Sequence, residues 1–323
     1  MKILVVGGAG YIGSHMTLFL REHGHDAVVL DNLSSGSEAA VLGAPLIVGS
    51  IGEPSVLDRT FEQHAIDCVM HFASLIQVGE SVEKPALYYR NNLCHTIDLL
   101  DAMVRHDVKR FVFSSTAAIF GQPERVPLDE SSPKQPINPY GRTKWMVEQV
   151  LQDYDRAYGL KSACLRYFNA AGADPGGRLG ENHEPESHLI PLALRAVSGR
   201  QPALKVYGRD YDTPDGTCIR DYIHVSDLCS AHLLALEALR RGDRSLAFNL
   251  GNGNGYSVQQ VIDAVRRVTG RVVPTVDAPR RAGDPPRLVA DPSRALAELG
   301  WKPRYPEIET IVLHAWNWEQ KAR

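Results

Sequence analysis

The sequence predicts an α/β protein: a doubly wound parallel sheet followed by a smaller C-terminal α/β lobe. Three observations carry this. Short, continuous apolar runs, the mark of strands buried on both faces, recur through the first half of the chain. Helical patterns separate them in regular alternation, and alternation with right-handed crossovers builds a parallel sheet. The 323 residues suffice for roughly two domains of ordinary size.

Taken in order, Ile3-Leu4-Val5-Val6 is the first strand, and a glycine-rich turn leads into a helix ending near residue 23. Ala27-Val28-Val29-Leu30 is a second strand and Leu46-Ile47-Val48 a shorter third. A helix over 54–64 precedes a fourth strand, Cys68-Val69-Met70-His71-Phe72. One long helix is expected over 85–106, because Pro85 suits a first turn and Leu93, Ile97, Leu100 and Val104 repeat at helical spacing. Phe111-Val112-Phe113 is the fifth strand; a helix over 140–158 and a sixth strand over 162–165 follow. Beyond about residue 170 the pattern loosens, and the Gly/Pro-rich, acidic stretch 172–186 reads as a loop. Helices are expected near 188–199, 226–240, 257–268 and 306–320, with strands near 204–207, 219–223, 246–250 and 272–275. The expected division is residues 1–170 against 171–323, with some later strands rejoining the first sheet.

Composition narrows the function. Lys plus Arg is 35 and Asp plus Glu 38, giving a net charge of −3 without basic blocks, so the footprint of a nucleic-acid binder is missing. Hydrophobic residues make up 44%, enough for a sizeable core. No run reaches the roughly 18 apolar residues of a membrane span. Lys2 and the apolar run after it could mimic a signal peptide, but glycines at 7, 8, 10 and 13 interrupt it. The cysteines at 68, 94, 164, 218 and 229 are odd in number and lack a Cys-x-x-Cys pair, which indicates neither a disulfide framework nor a zinc site. A reducing cytoplasm is the expected setting. The histidines are scattered, and His23 and His25 flank a glycine as a solvated turn rather than a ligand pair, so no metal is expected.

Glycines 7, 10 and 13 of Gly7-Gly8-Ala9-Gly10-Tyr11-Ile12-Gly13 follow a strand and open a helix, the context that raises a glycine pattern above a mere tight turn. The first glycine permits the turn, the second lets the backbone approach a pyrophosphate, and the third lets helix and strand pack closely. Phosphate would sit on free N–H groups at the helix N-terminus. Asp31 ends the second strand, 18 residues past Gly13. An acid there accepts hydrogen bonds from an adenosine ribose diol and repels a 2′-phosphate, so the expected cofactor is NAD and the fold Rossmann-type.

Tyr140 and Lys144 stand one helical turn apart at the start of a helix. A tyrosine near pKa 10 is a poor base at neutral pH, and a nearby ammonium favours its phenolate. Such a Tyr could exchange a proton with an alcohol whose carbon exchanges hydride with a nicotinamide. Alone, Tyr-x-x-x-Lys is common on exposed helices. Here it follows Ser114-Ser115-Thr116 at the end of the fifth strand, and ligands in open α/β sheets bind at carboxyl ends of strands. Thr116 could bridge substrate and Tyr140, or merely bond its own backbone.

These residues resemble the extended short-chain dehydrogenase/reductase superfamily, and within it the UDP-glucose (UDP-galactose) 4-epimerases. The likeness runs from Lys2 to about residue 320. It is carried by Gly-Gly-Ala-Gly-Tyr-Ile-Gly-Ser-His at 7–15, Leu-Asp-Asn-Leu at 30–33 and Val-Gly-Glu-Ser-Val at 78–82. Asn-Pro-Tyr-Gly-Arg-Thr-Lys at 138–144, Leu-Arg-Tyr-Phe-Asn at 165–169, Arg-Asp-Tyr-Ile-His-Val at 220–225 and Pro-Arg-Arg-Ala-Gly-Asp at 279–284 add to it. The resemblance implies oxidation at sugar carbon 4, rotation of the 4-keto sugar and re-reduction, with NAD kept bound and returned unchanged. It implies Tyr140 as the base, Lys144 as the group that lowers the Tyr pKa and holds the nicotinamide ribose, and Thr116 as a partner in the substrate hydrogen bond. The implied cofactor shell is Gly7, Gly10, Tyr11, Ile12, Gly13, Asp31, Asn32, Ser50, Ile51, Phe72, Ala73, Asn91, Ser114 and Tyr167, with Tyr140 and Lys144. Asn169 and Leu189 would line the UDP-sugar site, Tyr207 would lie against uracil, Arg220 and Arg281 would meet the diphosphate, and Asp284 the uridine ribose. The resemblance also implies a homodimer through the helices at 85–106 and 140–158.

Three positions depart from the family pattern. Ser50 stands where an Asp usually meets the adenine amine, and Ile76 where a Lys usually stands near the nicotinamide ribose. Leu288, intermediate between a Tyr and a very small residue, occupies the position that limits the sugar 2-substituent. A sugar-nucleotide 4,6-dehydratase would need an acid pair after Thr116, where this chain has Ala117-Ala118. Epimerases of UDP-N-acetylglucosamine, UDP-xylose or UDP-glucuronate share the mechanism and stay open. A non-catalytic NAD-binding scaffold would have lost Tyr140 or Lys144, and a metal-dependent hydrolase has no ligand set to support it.

Overall fold

A computed structural model describes residues 1–281 and 284–321. Ala282 and Gly283, inside the 279–284 motif, lie outside the described residues. In chain order the first half forms β1 (Lys2–Val6), α1 (Tyr11–Glu22), β2 (Asp26–Asp31), β3 (Leu46–Val48), α2 (Pro54–Gln63), β4 (Cys68–His71), α3 (Val78–Glu83), α4 (Pro85–Tyr88), α5 (His95–Arg105), β5 (Arg110–Thr116), α6 (Pro139–Tyr158) and β6 (Lys161–Tyr167). The second half adds β7 (Asn169–Ala171), α7 (Leu189–Ser198), β8 (Leu204–Tyr207), β9 (Ile219–Arg220), β10 (Tyr222–His224), α8 (Val225–Arg241), β11 (Leu246–Leu250), β12 (Tyr256–Ser257), α9 (Val258–Thr269), β13 (Thr275–Ala278), β14 (Arg287–Leu288), α10 (Ser293–Glu298) and α11 (Ile308–Lys321).

Seven parallel strands form one sheet in the order β3-β2-β1-β4-β5-β6-β11. Both faces are covered, which is why the strands read as unbroken apolar runs. On one face Ile3, Val5 and Met70 pack with Met16 and Leu20 of α1 and with Leu228 and Leu236 of α8. On the other, Leu4, Val6 and Val69 pack with Leu99 and Met103 of α5 and with Val147 and Leu151 of α6. A third core, in the second half of the chain, joins α7, α9 and α11 through Ile190, Leu194, Val261, Val265 and Ile311. The strand order reverses between β1 and β4, and the crevice at the carboxyl ends of strands at such a point is where these folds bind ligands. Thus β11, α8 and α10 are built from the second half of the sequence yet complete the first core.

Other elements depart from the expectation. The helix expected over 85–106 is interrupted by a wide π-type turn, Tyr89–Cys94. Periodicity cannot register one inserted residue; its structural partner is Asn92, whose amide bonds both Leu75 N–H and Leu75 C=O at 2.9 Å. Helix α3 escaped notice because its apolar residues Val78 and Val82 face outward, 46% and 62% exposed, rather than marking a buried stripe. The strand expected over 219–223 divides at Asp221, whose buried carboxylate accepts from Asn252, Gly253 and Ala290 N–H at 2.8, 3.0 and 3.1 Å. The strand expected at 272–275 is displaced to Thr275–Ala278, in parallel register with β8. Among the described residues no helix is long and apolar enough to cross a membrane.

Candidate active site

The glycine turn lies at the carboxyl end of β1. Gly7 has φ +78°, and a Cβ there would stand 2.5 Å from Ala73 N, so the turn is closed against the chain leaving β4. A Cβ on Gly13 would fall 2.0 Å from Gly7 O, so α1 can seat on the turn only without a side chain there. At Gly10 a Cβ would meet only the Gly7 carbonyl, at 3.5 Å; it would project into open space at the N-terminus of α1. No side chain caps that terminus, which leaves backbone donors for a pyrophosphate. Asp31 accepts from Ala9 N–H at 2.9 Å and Leu33 N–H at 2.8 Å, and a carboxylate with two such bonds retains capacity for a ribose diol. These residues fit NAD. Gly13→Ala is expected to force the helix off the turn, costing about 1–3 kcal/mol and emptying the purified protein of NAD; nucleotide released on denaturation, with Tm, measures both.

The other expected cofactor residues lie around this crevice or along its rim. Tyr11 donates to Gly172 O at 2.7 Å, tying α1 to the loop after β7. Asn32 is exposed and caps its own turn through Ser34 N–H at 3.1 Å. Ser50 accepts from Gly52 N–H at 3.1 Å, while Ile51 is buried. Ile12 and Phe72 edge the first core. Asn91 lies in the wide turn and donates to Asn92 Oδ1 at 2.9 Å. Ser114 and Tyr167 are joined through their hydroxyls. Ile76, at the position where the family pattern has a Lys, is exposed.

Helix α6 begins where Asn138 caps Gly141 N–H at 2.8 Å and Pro139 occupies the first turn. This cap sets Tyr140 and Lys144 against the end of β5. Lys144 is buried and donates to Ser74 Oγ at 2.6 Å and Ser114 O at 2.8 Å, with its ammonium 4.8 Å from the Phe113 ring centre. Among the described residues no carboxylate pairs with it, and burial pulls its pKa down to about 7. Lys144 and a positively charged nicotinamide are together expected to lower the Tyr140 pKa; the chain without cofactor carries only the first of these. Burial raises the Tyr140 pKa, and the Thr116 hydroxyl opposes that rise. Lys144 spends two of its donors on Ser74 and Ser114. Thr116 also receives Ala118 N–H at 3.1 Å, the local backbone bond expected of a hydroxyl at a strand end.

The Lys144 shift has a measurable sign. Its folded pKa lies below the unfolded value of about 10.4, so the unfolded chain binds more protons between those limits. Stability from this group therefore rises with pH from about 7 to about 10 in the cofactor-free protein. Lys144→Met should flatten that rise in a plot of Tm against pH, and identical slopes for the two proteins would contradict it.

Asn169, Leu189, Tyr207, Arg220, Arg281 and Asp284 line one cavity of about 430 Å³. Arg220 pairs with Asp284. The Arg281 guanidinium sits 4.0 Å over the Tyr207 ring, so it covers one face of the ring against which uracil is expected. Leu288 is not in that lining; it pairs with Arg220 between β14 and β9 and packs with Phe120, Trp145 and Phe168. Sequence reasoning missed Ser74 and Asn92, which position Lys144 and the loop after β4, and Glu186 and His188, which line the cavity. Glu181-x-His183-x-x-Glu186-x-His188 was the available signal, hidden in a stretch read only as loop.

Comparison with known proteins agrees with this geometry. Residues 3–251 match the NAD dependent epimerase/dehydratase family. The chain is 53% identical to UDP-glucose 4-epimerase of Halalkalibacterium halodurans over 321 residues, 99% of this chain and 96% of that protein. The crystal structure of UDP-glucose 4-epimerase from Brucella ovis in complex with NAD superimposes with TM-score 0.95 at 50% identity, covering 98% of this chain and 97% of that one. The enzyme from Bifidobacterium longum in complex with NAD+ and UDP gives 0.94 at 38% identity, covering 99% and 98%. The chain belongs to the NAD-dependent epimerase/dehydratase family, among its UDP-glucose 4-epimerases.

Proposed function

We propose that the protein interconverts UDP-glucose and UDP-galactose, and that residues 1–170 chiefly hold NAD while 171–323 chiefly hold the UDP-sugar. The observation that carries this is two constellations linked through the chain: Thr116 pairs with Tyr167 of β6, and Asn169, two residues on, lines the cavity expected to take UDP. Tyr140, Lys144 and Thr116 meet at the carboxyl end of β5, and the residues expected to hold UDP converge on one cavity. When bound, NAD supplies the acceptor and donor of hydride at sugar carbon 4. Tyr140 takes and returns the proton of the 4-hydroxyl, with the Thr116 hydroxyl sharing that hydrogen bond. Lys144 holds the nicotinamide ribose with the donor not spent on Ser74 and Ser114. Arg220 and Arg281 hold the diphosphate, exchanging their contacts with Asp284 and Tyr207 for phosphate oxygens. Affinity concentrated on UDP leaves the 4-keto sugar free to turn over and present its other face.

Purified protein is expected to equilibrate UDP-glucose with UDP-galactose without added reductant. A panel of UDP-glucose, UDP-N-acetylglucosamine, UDP-xylose and UDP-glucuronate, compared by kcat/KM, tests the substrate. Turnover confined to the pentose or the acid sugar would overturn the assignment. The same reading places the reaction in galactose metabolism in the cytoplasm, and the chain in a homodimer through α5 and α6. Light scattering on the eluted protein checks the dimer.

A further inference from the structure

Four side chains of the loop before α7 turn toward one point. His183 Nε2 and His188 Nδ1 are 3.4 Å apart. Glu186 Oε1 lies 3.5 and 3.4 Å from those nitrogens, and Glu181 Oε1 lies 3.1 and 2.6 Å from them. All four ligand atoms fall within 4.8 Å of one another. Metal–ligand bonds of about 2.0–2.1 Å in tetrahedral geometry require ligand atoms roughly 3.3 Å apart. Four of these separations, from 3.1 to 3.5 Å, are already near that edge length. The short Glu181–His188 contact, an ion pair at 2.6 Å, would open by a fraction of an ångström.

Without a cation the cluster is held by hydrogen bonds, among them His183 Nε2 with Glu181 Oε1 at 3.1 Å, and two further observations fit a cation in their place. His183 Nδ1 faces the Pro185 carbonyl at 3.2 Å. An imidazole that donates from Nδ1 presents a bare lone pair at Nε2, toward His188, which is the orientation of a metal-bound histidine. The Glu186 side chain is 1% exposed, and its Oε2 has no hydrogen-bond partner among the described residues. The Arg195 guanidinium stands 3.9 Å from that oxygen and reaches Glu184 instead, at 2.7 Å. A carboxylate oxygen buried so is costly, and Glu186 Oε1, fixed by Ser187 N–H at 2.7 Å and His188 N–H at 2.9 Å, is the oxygen turned toward the two histidines.

We propose that Glu181, His183, Glu186 and His188 form a site for one divalent cation of the Zn²⁺ class. Two imidazoles and two carboxylates suit Zn²⁺, and the two negative charges neutralise it. The site would brace the substrate cavity, since Glu186 and His188 also line its wall. The Glu181 carbonyl is already held by Trp318 Nε1 of α11 at 3.1 Å, so the cation would fasten the loop between α11 and α7. Metal content is read without substrate, so the site stands or falls independently of the proposed reaction.

The test uses the untagged full-length chain with its bound cofactor. Dialysed after addition of Zn²⁺, it should retain one Zn²⁺ per chain by mass spectrometry of the metal. Co²⁺ in its place should give the intense visible absorption of a tetrahedral site. His183→Gln should lose both signals. Removal of Zn²⁺ should raise KM for the UDP-sugar several-fold and leave kcat within about twofold. Retention of no Zn²⁺, an octahedral Co²⁺ spectrum, or unchanged binding in His183→Gln would overturn the proposal. If the variant does not fold, the wild-type Co²⁺ spectrum decides the matter.

Discussion

Tyr140→Phe should lower kcat by about three orders of magnitude, in the range of general acid–base catalysis, while the protein stays folded and keeps its NAD. The substitution deletes one oxygen and preserves the ring. That ring is half-buried near the start of a helix whose cap is supplied by Asn138, not by the tyrosine. Stability and cofactor content should therefore match the wild type. KM should change little, because the proposed contacts to UDP lie in the cavity lined by Arg220, Arg281 and Asp284. The size of the effect follows from what remains. Thr116 can hold the substrate hydroxyl, but its own hydroxyl is far too weak an acid to form the alkoxide that would take the proton. Lys144, drawn down to about 7 by burial, is the other group able to exchange one, and it is turned toward Ser74 and Ser114. Turnover at the wild-type rate would remove Tyr140 from the reaction and the proposed mechanism with it. Burial raises the Tyr140 pKa, so the proposed use of this tyrosine as a base would draw on positive charge brought by the bound cofactor.

How much of this was legible before folding depends on the range of the interaction involved. The strands of the large sheet could be read because residues buried on both faces must be apolar, as Ile3 to Val6 and Phe111 to Phe113 are. The glycine turn could be read because each glycine answers a local steric demand that Gly7 and Gly13 display. The pairing of β11 with β6 could only be guessed, since nothing local to Leu246–Leu250 says which sheet will take it. Asn92, Ser74 and the four residues around His183 act on groups distant in sequence or across an irregular loop. Neither helix period nor strand alternation carries such information. Spacing on a helix likewise fixes which face two residues share but not how far burial raises the Tyr140 pKa in the chain alone.

Glu148→Ala is the substitution expected to cost the most stability. Glu148 lies one turn beyond Lys144 on α6 and receives Arg166 of β6 through Nε, shared between Oε1 at 3.0 Å and Oε2 at 3.2 Å, and Nη2 to Oε2 at 2.6 Å. Ser115 of β5 adds another hydrogen bond at 2.6 Å. The two charged side chains are only 6% and 2% exposed, so the pair fastens α6 to both strands beneath the site. Burial opposes the Arg166 charge, but the Glu148 bonds prevail and keep it protonated above its ordinary value. Without Glu148 the guanidinium would be left buried and unpaired, which costs about 3–5 kcal/mol. For a chain of this size that is a fall in Tm on the order of 10 °C, readable by calorimetry. The charge argument is separable from lost packing. In the double variant Glu148→Ala, Arg166→Met no buried charge remains, and most of the loss should be recovered. If the single variant melts with the wild type, or the double variant falls below the single, the pair is not what seats α6 on the sheet. Because α6 carries both Tyr140 and Lys144, kcat of the single variant should fall at temperatures where it is still fully folded, and the double variant should restore it.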